Sequence, residues 1–232
     1  MNLAVVAPVY NEAGCIRQFV EEWLPVVRDH APARLILIDD GSRDESPAIL
    51  DSLTAGIPEL VVVHQMNGGH GAAIRRGYEL ALKTGAGWIF QTDSDRQFAP
   101  ADFERLWTRR SEADFLVGTR TDRDDPPLRK WLSRGNRLAL ALLFGVRLRD
   151  PNSPFRLMAA GFLEAALKRV PAGVFAPNVL ITVEAASSGS AWLEIPVAHR
   201  RRETGVVSIR GWKTAKLAAR CLREWAAYRL RR

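Results

Sequence analysis

The sequence predicts an α/β fold with a mostly parallel central sheet and helices on both faces. Short β-branched apolar runs recur along the first half of the chain. Helical stretches separate them, and a polar cluster follows the carboxyl end of each of the first four runs. The length of 232 residues fits one such domain, and 47% hydrophobic with 25% charged residues argues against a disordered chain or a fibre.

The runs Leu3–Ala7, Leu35–Ile38, Leu60–Val63, Trp88–Gln91 and Phe115–Val117 read as strands. Ala13–Arg28, Ser46–Leu53, Ala72–Lys83 and Ala101–Arg110 read as the helices between and after them. Ser46 offers an N-cap, with Pro47 at the first helical position. After Gly118 the pattern changes. Thr119–Pro127 reads as a loop, Leu128–Val146 as a helix with basic residues, and Asp150–Arg156 as a turn. Ala159–Arg169 and Val179–Ser187 read as helices, Trp192–Val197 as a short strand and Trp212–Arg229 as a final helix. The expected division is a domain over residues 1–210 and a basic amphipathic helix over 211–232.

The formal net charge of +7 conceals a split. Residues 1–119 carry 11 Lys/Arg against 17 Asp/Glu, whereas residues 120–232 carry 22 against 9. The basic end therefore points to an anionic partner. Cys15 and Cys221 form no metal or redox motif and read as reduced thiols in a cytosolic protein. No leader-like segment is apparent, and the longest apolar candidate, Leu138–Val146, is about half of what spans a bilayer.

In open parallel sheets, ligands bind at the carboxyl ends of the strands. Asn11-Glu12, Asp39-Asp40-Gly41-Ser42, Asn67-Gly68-Gly69-His70-Gly71 and Asp93-Ser94-Asp95 all fall on that rim. Asp93, Asp95 and Gln97 alternate along an extended strand end, and two carboxylates with an amide oxygen suit a hard cation, Mg2+ or Mn2+. The same residues also fit a solvated loop. Asp39 and Asp40 fit ribose or base recognition, and equally a turn that opens a helix. Asn67–Gly71 allows close backbone approach and an anion at a helix N-terminus. It lacks the Gly-Lys-Ser/Thr of a Walker loop, and its place after the third strand differs from the dinucleotide fingerprint.

Together the clusters resemble family 2 glycosyltransferases, whose catalytic domain has the GT-A fold. The resemblance rests on Pro8-Val9-Tyr10-Asn11-Glu12, Asp39–Ser42, Asn67-x-Gly69-x-Gly71 and Asp93–Gln97. It extends to the branch of dolichol-phosphate mannose synthase and related polyprenyl-phosphate glycosyltransferases. That branch is matched by Gly118-Thr119-Arg120, Arg129-x-x-x-Ser133, Asp150-x-x-Ser153-x-Phe155-Arg156 and Arg202-x-x-Gly205-x-x-Ser208. The resemblance covers about residues 3–210. The chain departs from the branch at Pro154, where glycine is usual, at Arg96, where an apolar residue is usual, and in a short loop from Arg120 to Arg129.

The resemblance implies an inverting, metal-dependent hexosyltransferase that uses a GDP- or UDP-hexose. Pro8, Tyr10, Glu12, Asp39, Asp40 and Gly69 would hold the nucleoside side of the donor. Asp93, Asp95 and Gln97 would hold the metal on its diphosphate, and Arg202 and Ser208 would close over the donor phosphates. Arg120, Arg129 and Ser133 would grip an acceptor phosphate, and Asp95, Asp150 and Arg156 would serve the reaction itself. A lipid monophosphate is largely dianionic near neutral pH and needs positioning rather than deprotonation. A hydroxyl acceptor would need a base, for which Asp150 is the candidate; its alternative role is an ion pair with Arg156.

The final helix aligns Lys213, Lys216, Arg220 and Arg223 on one stripe, with Leu217, Cys221, Leu222 and Trp225 on an apolar side. It reads as an interfacial contact with anionic lipid, or with a membrane partner protein, on the cytoplasmic face. The other reading is a helix packed on the core with a solvated basic face. Three alternatives to lipid-phosphate transfer stand beside it: a family 2 enzyme acting on a sugar or other hydroxyl, a non-catalytic nucleotide binder, and a nucleic-acid-binding protein. The intact Asp93/Asp95 pair speaks against a non-catalytic relative. The acidic first half and the lack of a recognisable binding module speak against nucleic acid.

Overall fold

In the computed structural model of the chain, residues 2–121, 127–200 and 212–232 are described, the side chains of 127–132 and 212–215 excepted. The strands are β1 (Leu3–Val9), β2 (Ala33–Asp39), β3 (Leu60–His64), β4 (Trp88–Gln91), β5 (Phe115–Arg120), β6 (Arg156–Ala159) and β7 (Trp192–Val197). They form one sheet in the order β3-β2-β1-β4-β6-β5-β7. β6 pairs antiparallel with both β4 and β5; the other pairings are parallel. The helices are α1 (Ile16–Asp29), α2 (Ser46–Thr54), α3 (His70–Lys83), α4 (Phe103–Trp107), α5 (Pro127–Phe144), α6 (Ala160–Arg169), α7 (Pro177–Ser187) and α8 (Trp212–Arg231).

The apolar runs are nearly continuous because both sheet faces are covered. Alternate residues serve opposite faces. Ala4, Val6, Ile36, Ile38 and Ile89 pack with Ile74 and Tyr78 of α3, Leu163 of α6 and Leu180 of α7. Leu3, Val5, Leu35, Leu37 and Phe90 pack with Phe19 and Trp23 of α1, Leu50 of α2 and Phe103 of α4. Trp23 lies at the centre of this second layer, its ring 5.3 Å from that of Phe90.

Two expectations change locally. Residues expected as the end of a turn and the start of a helix form β6. The helix expected over Ala101–Arg110 is broken into α4 and a 3-10 turn on either side. Ser46 does not cap α2. It is the first helical residue, and its hydroxyl accepts the N–H of Glu12 at 2.9 Å, while Asp44 Oδ1 accepts the N–H of Ser46 at 2.9 Å.

α8 packs on the body of the protein. Its Cys221, Trp225 and Tyr228 join the core that α7 also lines. The Tyr228 hydroxyl donates to buried Glu184 of α7 at 2.6 Å, and Arg169 and Arg232 pair with the same carboxylate at 2.9 and 3.3 Å. Much of the expected apolar side is therefore covered by protein, as in the packed-helix reading. Leu222, Lys216 and Arg223 are exposed. On α5, Leu138 and Leu142 are 61% and 78% exposed. No helix among the described residues is long and apolar enough to cross a membrane.

Candidate active site

The rim is built from segments that leave β1, β2, β3 and β4, closed on the far side by the end of β5 and the turn before β6. Each parallel strand delivers its polar cluster to the same edge. Because β6 runs the other way, its approach, rather than its exit, reaches that edge.

On the first arc, the segments after β1, β2 and β3 are cross-tied. Asn11, at φ 55°, donates its N–H to Ser42 Oγ at 2.9 Å, and its Oδ1 accepts the N–H of Arg43 at 2.8 Å. Asp39 accepts the N–H of Ser42 at 3.0 Å and faces His64 Nδ1 at 2.7 Å. Asp40 accepts from Gln65 Nε2 at 2.7 Å and from the N–H groups of Gly68 and Gly69, each at 2.8 Å. Both aspartates are buried, so they fix the loops as well as offering oxygen at the rim. Gly69 takes φ 86°, ψ 159°, a conformation essentially restricted to glycine, and turns the chain into α3 with open space beside it. Tyr10 stands at this arc 40% exposed, while Glu12 and Pro8 are buried beneath it.

At the centre, Ser94 turns inward and donates to the Pro8 carbonyl at 2.8 Å. Asp93 and Asp95 flank it. Asp93 Oδ1 lies 3.2 Å from His70 Nε2. Loss of water around the half-exposed His70 ring opposes its charge, but Asp93, Asp95 and Asp40 together prevail and raise its pKa. Asp95 Oδ1 accepts the N–H of Gln97 at 3.2 Å. Gln97 Nε2 donates to the Arg200 carbonyl at 3.1 Å, which leaves the amide oxygen as the ligand-type atom. The hard oxygens of Asp93, Asp95 and Gln97 fit a divalent cation. No cluster of three or more His, Cys, Asp or Glu suited to a metal occurs among the described residues, so a cation here would take its remaining ligands from donor phosphate and water. Arg96, the basic intruder in this motif, is directed elsewhere. At φ 60° it swings to α1, where Nε meets Glu22 Oε1 at 3.0 Å and Nη1 meets Gln18 Oε1 at 2.6 Å.

On the second arc, Arg120 at the end of β5 grips Asp150 with two bonds, Nε to Oδ2 at 2.6 Å and Nη2 to Oδ1 at 2.8 Å. The ion pair of Asp150 is thus with Arg120, not with Arg156, the partner that the sequence offered. Arg156 has no exposed surface. It donates to the carbonyls of Ser153 (from Nε at 3.0 Å) and Asn178 (2.9 Å), and more weakly to that of Pro151 (3.4 Å). Burial pushes its pKa down, and the nearby Tyr78, Asp150 and Asp93 partly restore it. Arg156 accordingly braces the turn from below. Ser133 sits part-buried on α5. The side chain of Arg129, and Arg202 and Ser208 altogether, lie outside the described residues.

Sequence reasoning did not single out Tyr78, Asn178 and Thr182, which join Gln91 and Arg156 under the rim. They sit within helices at ordinary spacing, and only the tertiary fold brings them together.

The arrangement can hold an anion-rich donor across the first arc and the centre, with a second anionic group facing it from the Arg120 side. Residues 4–167 match the profile of Glycosyl transferase family 2. The chain is 30% identical over 207 residues to an undecaprenyl-phosphate 4-deoxy-4-formamido-L-arabinose transferase of Pseudomonas paraeruginosa, covering 88% of this chain and 59% of that relative. It is 29% identical over 221 residues to a polyprenol monophosphomannose synthase of Mycolicibacterium smegmatis, covering 89% and 80% respectively. A crystal structure of glucosyl-3-phosphoglycerate synthase from Mycobacterium tuberculosis, with Mn2+, UDP-glucose and phosphoglyceric acid, superposes with a TM-score of 0.70 at 17% identity. That superposition covers 98% of this chain and 79% of that one.

Proposed function

The chain belongs to glycosyl transferase family 2, and from that premise we propose that it moves a sugar, in our reading a hexose, from a nucleotide sugar to a polyprenyl phosphate at a membrane surface. The observation that carries the acceptor side is the bidentate Arg120–Asp150 pair. Both Asp150 oxygens accept from the Arg120 guanidinium, an arrangement suited to holding that cation in place rather than to taking a proton from a hydroxyl. A phosphate nucleophile needs no base, and it needs the cationic face that Arg120 presents. The names of the two relatives, both of which include a polyprenyl-type lipid, support the same acceptor class.

In this reading, Asp39, Asp40 and the Gly68–Gly69 loop orient the nucleoside, with Tyr10 as the exposed wall. Asp93, Asp95 and Gln97 would hold Mg2+ or Mn2+, which when bound supplies charge stabilisation to the leaving diphosphate. Arg202 and Ser208 would add donors to the same phosphates. An acceptor oxygen, aligned by Arg120, Arg129 and Ser133, attacks the anomeric carbon from the face opposite the leaving group, which inverts the configuration. Asp150 keeps Arg120 in its rotamer, so the cation is in place before the acceptor arrives. Arg156 holds the turn that carries Asp150.

The test is direct. Purified protein is incubated with GDP- and UDP-sugars, Mn2+ and polyprenyl phosphate in detergent or vesicles, and the lipid-linked sugar is resolved by chromatography. One donor should yield a lipid-phosphate sugar, and Asp95→Ala should abolish it. Asp150→Asn should raise the acceptor KM more than it lowers kcat. Loss of all turnover in Asp150→Asn, with transfer only to a hydroxyl acceptor, would replace this reading by one in which Asp150 is a general base.

A further inference from the structure

Below the rim, five polar side chains from four elements meet inside the apolar interior: Tyr78 of α3, Gln91 of β4, Arg156 of β6, and Asn178 and Thr182 of α7. All are buried. Asn178 Nδ2 donates to Gln91 Oε1 at 2.9 Å. The Tyr78 hydroxyl lies 2.9 Å from Gln91 Oε1 and 2.9 Å from Asn178 Oδ1; with one proton, it donates to one of them at a time. The Asn178 backbone carbonyl accepts from Arg156 Nη1 at 2.9 Å and from Thr182 Oγ1 at 2.9 Å. Gln91 Nε2 is buried with no partner.

The members sit where the two arcs join. Gln91 precedes Asp93 by two residues and faces Arg156 across the β4–β6 pairing. Arg156 in turn holds the Ser153 carbonyl in the turn that starts at Asp150. The Asn178 side chain therefore ties the donor strand to α7, and the backbone carbonyl of the same residue, through Arg156, ties α7 to the acceptor turn. A scaffold could fill this space with apolar side chains at no desolvation cost, whereas a polar network fixes relative positions through directional bonds. We propose that Asn178 is a positioning residue that sets the metal-site strand in register with the acceptor turn. This deepens the glycosyl-transfer reading and rests on it.

The inference is tested with Asn178→Ala, Asn178→Asp and Tyr78→Phe in the full chain. In Asn178→Ala, kcat for transfer should fall at least tenfold while the KM for each substrate stays within about threefold, since each arc still binds its own ligand. Asn178→Asp should recover most of the rate. A reversed Gln91 amide can present its unpartnered Nε2 to the new carboxylate, and the Tyr78 hydroxyl can donate a hydrogen bond to it. Tyr78→Phe, which removes one hydroxyl, should give an intermediate loss. Hydrogen exchange provides a readout independent of turnover: Asn178→Ala should speed exchange in 92–97, whose strand loses its tie to α7, with 65–71 unchanged and 150–156 still held through the backbone carbonyl. Wild-type-like kcat in folded Asn178→Ala, or unchanged exchange in 92–97, overturns the proposal. If the wild type itself transfers nothing to polyprenyl phosphate, the acceptor reading fails, and the exchange result still decides the positioning role. If Asn178→Ala does not fold, Tyr78→Phe decides, and an unchanged kcat there overturns the proposal.

Discussion

Arg96 and Asp95 are neighbours with opposite expected consequences. Arg96 is a cation set within a cation-binding motif, and its side chain is spent on Glu22 and Gln18. Arg96→Ala should leave metal and nucleotide binding intact. It should cost about 1 kcal/mol of stability, because a partly buried Glu22 loses its counter-charge. Asp95→Ala should remove the Mn2+-dependent part of the thermal shift produced by a nucleoside diphosphate. A thermal-shift titration with and without Mn2+ separates the two, and a metal-binding defect in Arg96→Ala would contradict the geometry. His64 gives a pH prediction. Its bond to Asp39 and the added pull of Asp51 outweigh partial burial and raise its pKa. A raised value means that the protonated histidine stabilises the fold. That contribution is complete below about pH 6.5, the ordinary value, and fades as pH rises through the raised one. The Tm of His64→Gln should therefore approach that of the wild type as the pH is raised, with the largest gap on the acid side.

At the scale of elements, the entry into α3 leaves no room for a side chain. A Cβ on Gly71 would lie 2.5 Å from the Phe175 carbonyl and 2.9 Å from Pro177 Cδ, so α3 approaches the segment before α7 as closely as backbone permits. Gly71→Ala should destabilise by about 1–3 kcal/mol through overpacking, measurable by denaturant titration. It should also weaken donor binding, since the Gly68–Gly69 loop feeds that helix. This element scale is also where the limits of the sequence show. β1 to β5, and the rim clusters after the first four, were legible because each is a local pattern: an apolar run, then polar residues at its end. β6 was not, because four residues between a turn and a helix carry too little periodicity, and its strand character comes from neighbours on both sides. The division of α4 was hidden for a similar reason, since its flanking 3-10 turns share the composition of a helix. Among the rim residues, Asp93 and Asp95 stood out as candidates by their alternation, and Asp40 by its place at a strand end. The partner of Asp150 was not, because Arg120 lies thirty residues away and Arg156 looked nearer in sequence.

For the whole molecule, the charge split has a spatial meaning. The acidic half supplies the carboxylates of the first arc and the centre, and the basic half supplies Arg120, Arg156 and the outer face of α8. With Trp225 and Tyr228 committed to the core, a membrane contact would rest on the exposed basic residues and on Leu138, Leu142 and Leu222. Co-flotation with anionic vesicles should be lost on raising salt, and it should weaken by at least about thirtyfold in Lys216→Glu/Arg223→Glu, each juxtamembrane cation being worth about 1 kcal/mol. Binding that is indifferent to both salt and charge reversal would exclude this surface. Deleting α8 is the poorer experiment, because it would also uncover the core around Leu140 and Glu184.

The reversed direction of β6 has a consequence for how such a protein can diversify. The carboxylates of the first arc and the centre are carried by loops that leave strands in the first half of the chain, and Asp150 by a loop that enters a strand in the second half. These two parts of the rim share a seam, the β4–β6 pairing. On the proposed roles, mutation can rewrite the Asp150–Ser153 turn, and so change what receives the sugar, while the carboxylates of the first arc and the centre are inherited intact.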